Sequence, residues 1–149
     1  MEESLTYLKE QFELPDVDVR SYSPLVLAYI GDGIYELVIR TAVVGQGNRQ
    51  ANALHKKTST YVKASAQAAM MEAILEDLTE EEQAVYKRGR NAKTVSMAKH
   101  ATMHDYRHAT GFEALMGYLY LKKDWKRLLD LVKIGLCSVS DRSALKEEE

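Results

Sequence analysis

An aspartate held between two glycines interrupts the most apolar stretch of the chain, and that combination limits what the rest can become. Residues 23–40 begin Ser23-Pro24-Leu25 and pass through Ala28-Tyr29-Ile30-Gly31-Asp32-Gly33-Ile34-Tyr35 to Arg40. Serine followed by proline is a helix start: the hydroxyl caps the first turn, and proline suits the first helical position. The following twenty residues are apolar on nearly every face, the pattern of a central buried helix. An ionised Asp32 is costly there unless it is paired, hydrogen-bonded or bound to a metal. Gly31 and Gly33 each weaken a helix by up to about 1 kcal/mol relative to alanine. The same residues admit another reading, in which Gly31-Asp32-Gly33 is a tight turn between two strands carrying Val26, Ile30, Ile34, Val38 and Ile39. Periodicity alone does not separate the two.

The remainder of the chain favours helices. Two prolines and eight glycines in 149 residues leave few breaks, and Ala, Leu, Glu, Lys, Gln and Met are abundant. The expected class is all-α, one domain in size. An entry helix and link occupy 1–20, the main domain 21–136 and a polar tail 137–149. Cys137 is the single cysteine, which excludes an intrachain disulfide and a cysteine metal cluster. The start Met1-Glu2-Glu3-Ser4 is acidic where a secretory signal is basic. Asp32 and Glu36 interrupt the longest apolar run, so no membrane span is expected and the implied compartment is the cytoplasm.

Net charge is only −2, yet it is laid out in blocks. Between residues 49 and 71 stand Arg49, Lys56, Lys57 and Lys63 with no acid. Glu72, Glu76, Asp77, Glu80, Glu81 and Glu82 follow and read as a solvated helix end. Then Lys87, Arg88, Arg90, Lys93, Lys99 and Arg107 are opposed only by Asp105, with His100, His104 and His108 nearby. Such blocks build a local anion-binding face on a nearly neutral protein.

In chain order, a short helix over 4–13 ends at Leu14-Pro15-Asp16, and Gly45-Gln46-Gly47-Asn48 is the clearest turn. One long helix is expected from residue 49 to 77. Thr79 with Glu82 is a capping box opening the next, which breaks at Gly89. Arg88-Gly89-Arg90-Asn91-Ala92-Lys93 is then a basic loop, either a solvated connector or a set of phosphate contacts. A short helix over 95–103 precedes His104-Asp105-Tyr106. Residues 109–121 form a second apolar helix with one acid, Glu113, and Gly117 a turn later. Thr110 with Glu113 also fits a capping box, so Glu113 is either a cap or a functional acid. Asp124 caps a last helix bearing Trp125, Leu128, Leu129, Val132 and Leu136.

Two apolar helices, each with one acid beside close-packing glycines, resemble the ribonuclease III domain. The matching residues are Ile30-Gly31-Asp32 and Glu113-Ala114-Leu115-Met116-Gly117, with the segment from Leu54 to Lys63 between them, in family order over roughly residues 20–135. The wording Ala28-Tyr29-Ile30-Gly31-Asp32, the run from Arg88 to Lys93, and Tyr106-Arg107-His108-Ala109-Thr110-Gly111-Phe112-Glu113 is similar to the short Mini-III branch. Its members are lone nuclease domains without a double-stranded-RNA-binding domain.

The resemblance implies a helical bundle in which residues 21–136 are a ribonuclease III-like catalytic domain. It implies a bacterial, homodimeric, magnesium-dependent endoribonuclease, with manganese as a candidate substitute. The implied task is trimming the ends of the large-subunit (23S) ribosomal RNA precursor, each protomer cutting one strand of a duplex to leave short 3′ overhangs. Asp32 and Glu113 become the catalytic acids and metal ligands, with Glu36 either beside them or a surface residue. Lys56, Lys57, Lys63, Arg88, Arg90 and Lys93 become the contacts to RNA phosphates and 2′-hydroxyls. Leu25 and Tyr29 are candidates for the dimer interface, and a ribosomal protein is a candidate partner. Ala28 and Thr110 stand where the wider family carries further acids, a thinning the short branch shares. The alternative on the same fold is a non-catalytic RNA-binding or ribosome-assembly module. A helical nucleotide pyrophosphatase would instead carry clustered Glu-x-x-Glu motifs.

Overall fold

The computed structural model describes residues 2–92 and 102–139, and every described element is helical. The helices are α1 (Glu2–Gln11), α2 (Pro24–Gly45), α3 (Ala51–Val62), α4 (Ala64–Ile74), α5 (Glu80–Asn91), α6 (Met103–Leu121) and α7 (Trp125–Val139). Helix α2 runs unbroken through Gly31-Asp32-Gly33, which removes the turn between strands. Ser23 caps it through the Val26 amide, and Pro24 opens it, as the sequence reads. The bundle is built around α6, which crosses α2 and also receives α4 and α5, while α7 packs on α4 and α3 on α2. Tyr35, Phe112, Leu115, Met116, Leu119, Met70, Ile74, Leu128 and Leu131 form its core. Among the described residues no helix is long and apolar enough to cross a membrane. Helix α1 is anchored by buried Leu5 and by Lys123 Nζ, which donates to Thr6 Oγ1 at 2.8 Å.

Several expectations change. Helix α2 is not buried all round: one face leaves Leu25, Val26, Tyr29 and Leu37 exposed. The long helix expected over 49–77 breaks at Lys63, whose ψ of 156° is extended. No glycine or proline marks the break. Instead Tyr35 Oη donates to the Tyr61 carbonyl at 2.8 Å and Gln67 Nε2 to the Val62 carbonyl at 2.8 Å. Carbonyls orphaned at a helix end need partners, and here distant side chains provide them. Third, α5 does not break at Gly89. A side chain there would press on Ala114 Cβ at 2.8 Å and Gly111 Cα at 2.9 Å, so this glycine lets α5 lie close on α6. Fourth, α6 begins at Met103, with Thr102 Oγ1 accepting from the Asp105 amide at 3.0 Å. The short helix expected over 95–103 falls mostly outside the described residues.

The acidic block is not all solvated. Glu82 is only 5% exposed, closes the capping box with Thr79, and receives a guanidinium fork from Arg127 on α7. Arg127 Nε reaches Glu82 Oε2 at 2.9 Å, and Nη2 reaches Oε1 at 2.8 Å and the Asp77 carbonyl at 2.7 Å. The Arg127 bonds hold the Glu82 carboxyl below its usual range against the opposing effect of burial. This stabilisation is present above the ordinary carboxylate pKa and is lost as pH falls through the lowered one. Arg127→Ala, which strands a buried carboxylate, is expected to cost about 3 kcal/mol in urea unfolding at neutral pH. Adding Glu82→Gln should recover most of that loss; a double variant as weak as Arg127→Ala would place the cost elsewhere.

Candidate functional site

Gly31 on α2 and Gly117 on α6 mark where the two central helices touch backbone to backbone. A Cβ on Gly31 would overlap the Glu113 carbonyl oxygen and lie 2.8 Å from the Gly117 nitrogen. A Cβ on Gly117 would overlap the Leu27 carbonyl oxygen and lie 3.0 Å from Ile30 Cγ2. Only glycine permits that approach. Gly33 has a different setting, since nothing lies within 4 Å of where its Cβ would be. The tight crossing sets Asp32 beside Glu113.

Asp32 is exposed and Glu113 half-buried, so the signature aspartate is not sequestered as the apolar run suggested. Burial pushes the Glu113 carboxyl up to about 8, the neighbouring Asp32 carboxylate pushes in the same direction, and the Gln67 amide opposes both. Two acids that resist being charged together are what a bound cation would relieve. Thr110 and Glu113 lie mid-helix, and Thr110 Oγ1 donates to the Tyr106 carbonyl at 2.9 Å, so the capping-box reading of Glu113 is replaced. Ala28 and Thr110 are buried and bring no carboxylate. Among the described residues no group of three or more metal-ligating side chains converges. A pair of oxygen donors suits a hard divalent cation that keeps water and substrate oxygens in its other positions. Glu36 is engaged by Arg40 Nη2 at 3.3 Å along α2.

The basic residues are spread over three elements. Lys56 is exposed on α3, and half-buried Lys57 donates to Gln46 Oε1 at 3.0 Å. Lys63 is exposed at the α3–α4 break, one residue beyond the Val62 carbonyl that Gln67 holds. Arg88 and Arg90 lie in the last turns of α5 rather than in a loop, and Lys93 lies outside the described residues. Because Gly89 packs on Thr110, Gly111 and Ala114, the stretch of α5 that bears both arginines lies against the middle of α6. Arg88 Nη2 reaches the Tyr22 carbonyl at 3.5 Å, and the Arg90 guanidinium sits 5.5 Å from the Tyr86 ring centre.

Other residues of the second basic block gather around Arg90, together with Asn91 and Met103, to which the sequence assigned no role. Arg90, Asn91, Met103, His104, Arg107 and His108 line an open pocket of about 350 Å³ at the start of α6. His108 Nδ1 lies 2.6 Å from the Tyr86 hydroxyl. Burial, then His104 and Arg90, lower its pKa. Gln67 was missed altogether, since nothing in an alanine-rich helix marks one glutamine as buried. Leu25 and Tyr29 fall on the exposed face of α2, Tyr29 with 82% of its surface open.

A helical bundle, seven α-helices among the described residues, with an acid pair at a glycine-mediated crossing matches a known class. The Ribonuclease III domain family matches residues 25–124. Relatives called Mini-ribonuclease 3 occur in Thermoanaerobacter sp. (47% identity, 91% of this chain and 96% of the relative) and Enterococcus faecalis (50%, 77% and 89%). Another, from Clostridium tetani, is 44% identical over 96% of this chain and 93% of its own. A crystal structure of a Fusobacterium nucleatum protein superposes with a TM-score of 0.73 at 34% identity, covering 82% of this chain and 98% of that one. The chain belongs to the ribonuclease III family, and within it to the Mini-ribonuclease 3 branch. Its activity is that of an endoribonuclease.

Proposed function

We propose that the chain is a magnesium-dependent endoribonuclease for double-stranded RNA, working in the cytoplasm as a homodimer on the ends of the 23S ribosomal RNA precursor. The observation that carries the reading is the pairing of Asp32 with Glu113, where burial and like charge raise Glu113 to about 8. The two carboxylates are the groups that would hold the cation. Bound magnesium supplies charge neutralisation and Lewis-acid polarisation of the scissile phosphate, and manganese fits the same oxygen donors. Lys56, Lys57, Lys63, Arg88, Arg90 and Lys93 contact phosphates and 2′-hydroxyls, the recognition that A-form duplexes allow. The pocket holding Arg90 and Arg107 continues that surface at the start of α6. The exposed face with Leu25, Val26, Tyr29 and Leu37 supports a dimer contact that would set two such sites on one duplex. The ribosomal RNA substrate follows from the resemblance to the short branch, as does a ribosomal protein as companion.

The test is cleavage of a long, end-labelled RNA duplex, with magnesium and with chelator, by the wild type and by Asp32→Asn. Asparagine keeps the shape and removes the charge. Several kcal/mol of transition-state stabilisation should go with it, a loss of about 1000-fold in rate, while sedimentation and folding match the wild type. Binding without cleavage, or cleavage indifferent to Asp32, would overturn the assignment.

A further inference from the structure

Gln67 on α4 is a further polar group at the acid pair, and its setting is unusual. It is 2% exposed and lies among the core residues Ala68, Met70 and Met71. Nε2 donates to the Val62 carbonyl at 2.8 Å and approaches Glu113 Oε2 at 3.4 Å. Oε1 is buried with no partner. Both neighbours of Nε2 are acceptors, so the amide must point its N–H bonds at them and leave its own oxygen unmatched. An apolar side chain would fill this place in the core without stranding an oxygen. A buried amide with one atom unsatisfied calls for a use for the other.

We infer that Gln67 is a positioning residue for the cleavage reaction: its amide fixes one carboxylate oxygen of Glu113 and leaves the other for the cation shared with Asp32. The inference rests on the nuclease reading above. The same amide ties that carboxylate to the Val62 carbonyl at the α3–α4 break, one residue before Lys63. The acid pair and the α3–α4 elbow therefore share a single anchor. Partners of this kind orient metal ligands, and their loss typically weakens metal affinity or activity by about 10- to 100-fold.

The experiment compares wild type with Gln67→Leu, a near match in volume without the donor. Manganese binding to the RNA-free protein is followed by electron paramagnetic resonance, and duplex cleavage by kcat and KM. The variant sheds the stranded oxygen but also frees the Val62 carbonyl, so it is expected to fold with a stability close to that of the wild type. Its manganese affinity should fall about 10-fold or more, and kcat should fall with KM for the duplex nearly unchanged. Unchanged manganese affinity and kcat in a folded variant would reduce Gln67 to a tie between α3 and α4 and overturn the inference. If the leucine variant does not fold, the wild type still answers. The Gln67 side-chain amide resonances should shift when magnesium is added without RNA, and resonances that stay put overturn the proposal. A wild type that neither binds manganese nor cuts RNA defeats the nuclease reading itself. A wild type that does both while Gln67→Leu matches it defeats only the role of Gln67.

Discussion

Glu113→Gln is expected to abolish cleavage and yet to give the more stable protein at alkaline pH when divalent cations are absent. In the wild type, burial and then Asp32 raise the Glu113 carboxyl from 4.5 to about 8. Between those values the folded protein keeps a proton that the unfolded chain has already released. The group's contribution to stability is therefore fully present below the unfolded pKa and disappears as pH rises through the folded one. Asp32 is open to solvent and Glu113 only half-buried, so screening trims the effect to about 2 kcal/mol. A glutamine cannot ionise, and its amide can donate to Asp32. Thermal unfolding in chelator, followed from about pH 6 to about pH 9, should slope downward for the wild type and run flat for the variant in this window. Magnesium should raise the wild-type midpoint at the alkaline end, because a cation that binds only the folded state stabilises it. The variant should not respond. Equal slopes in the two proteins would mean that Glu113 is not the group under strain, and the acid pair would lose its claim to the cation.

How much of this was legible in the sequence depends on how local the cause is. Ser23 with Pro24, Thr79 with Glu82, and Asp124 before α7 were readable because a cap acts within three residues, and all three act as caps. The break at Lys63 was not readable, because what permits it is Tyr35 from α2 and Gln67 from α4 taking up the freed carbonyls. Gly89 misled for the complementary reason. A glycine after two basic residues suggests a loop, but here the absent side chain makes room for α6. The apolar run of α2 suggested burial on every side. Sequence does not separate an apolar face turned to the core from one left open, and Tyr29 stands on the open one. The acids themselves were legible as a pair only through the order and wording of the motifs around them. Their unequal burial, and the glutamine beside Glu113, belong to the packing of three helices and have no signature along the chain.

Gly31→Ala should be far more damaging than its size suggests. In an ordinary helix, alanine for glycine is worth up to about 1 kcal/mol in favour of the variant. At Gly31 the new methyl would overlap the Glu113 carbonyl oxygen and press on the Gly117 nitrogen at 2.8 Å. Both are main-chain atoms, so no rotamer change relieves the contact and the central helices must part. The expected cost is about 3 kcal/mol, seen as a fall of about 10 °C in the thermal midpoint. Cleavage should suffer further, because Asp32 follows Gly31 directly and Glu113 is the residue pushed away. A displacement of about 1 Å at a reacting centre can cost about 100-fold in rate. Gly33→Ala supplies the contrast two residues along the same helix, where open space meets the new methyl. Compared at concentrations where both variants share one oligomeric state, it should equal or exceed the wild type in stability. If the two variants proved equally stable, the helices could separate at no cost. The glycine crossing would then not be what fixes the distance between the acids.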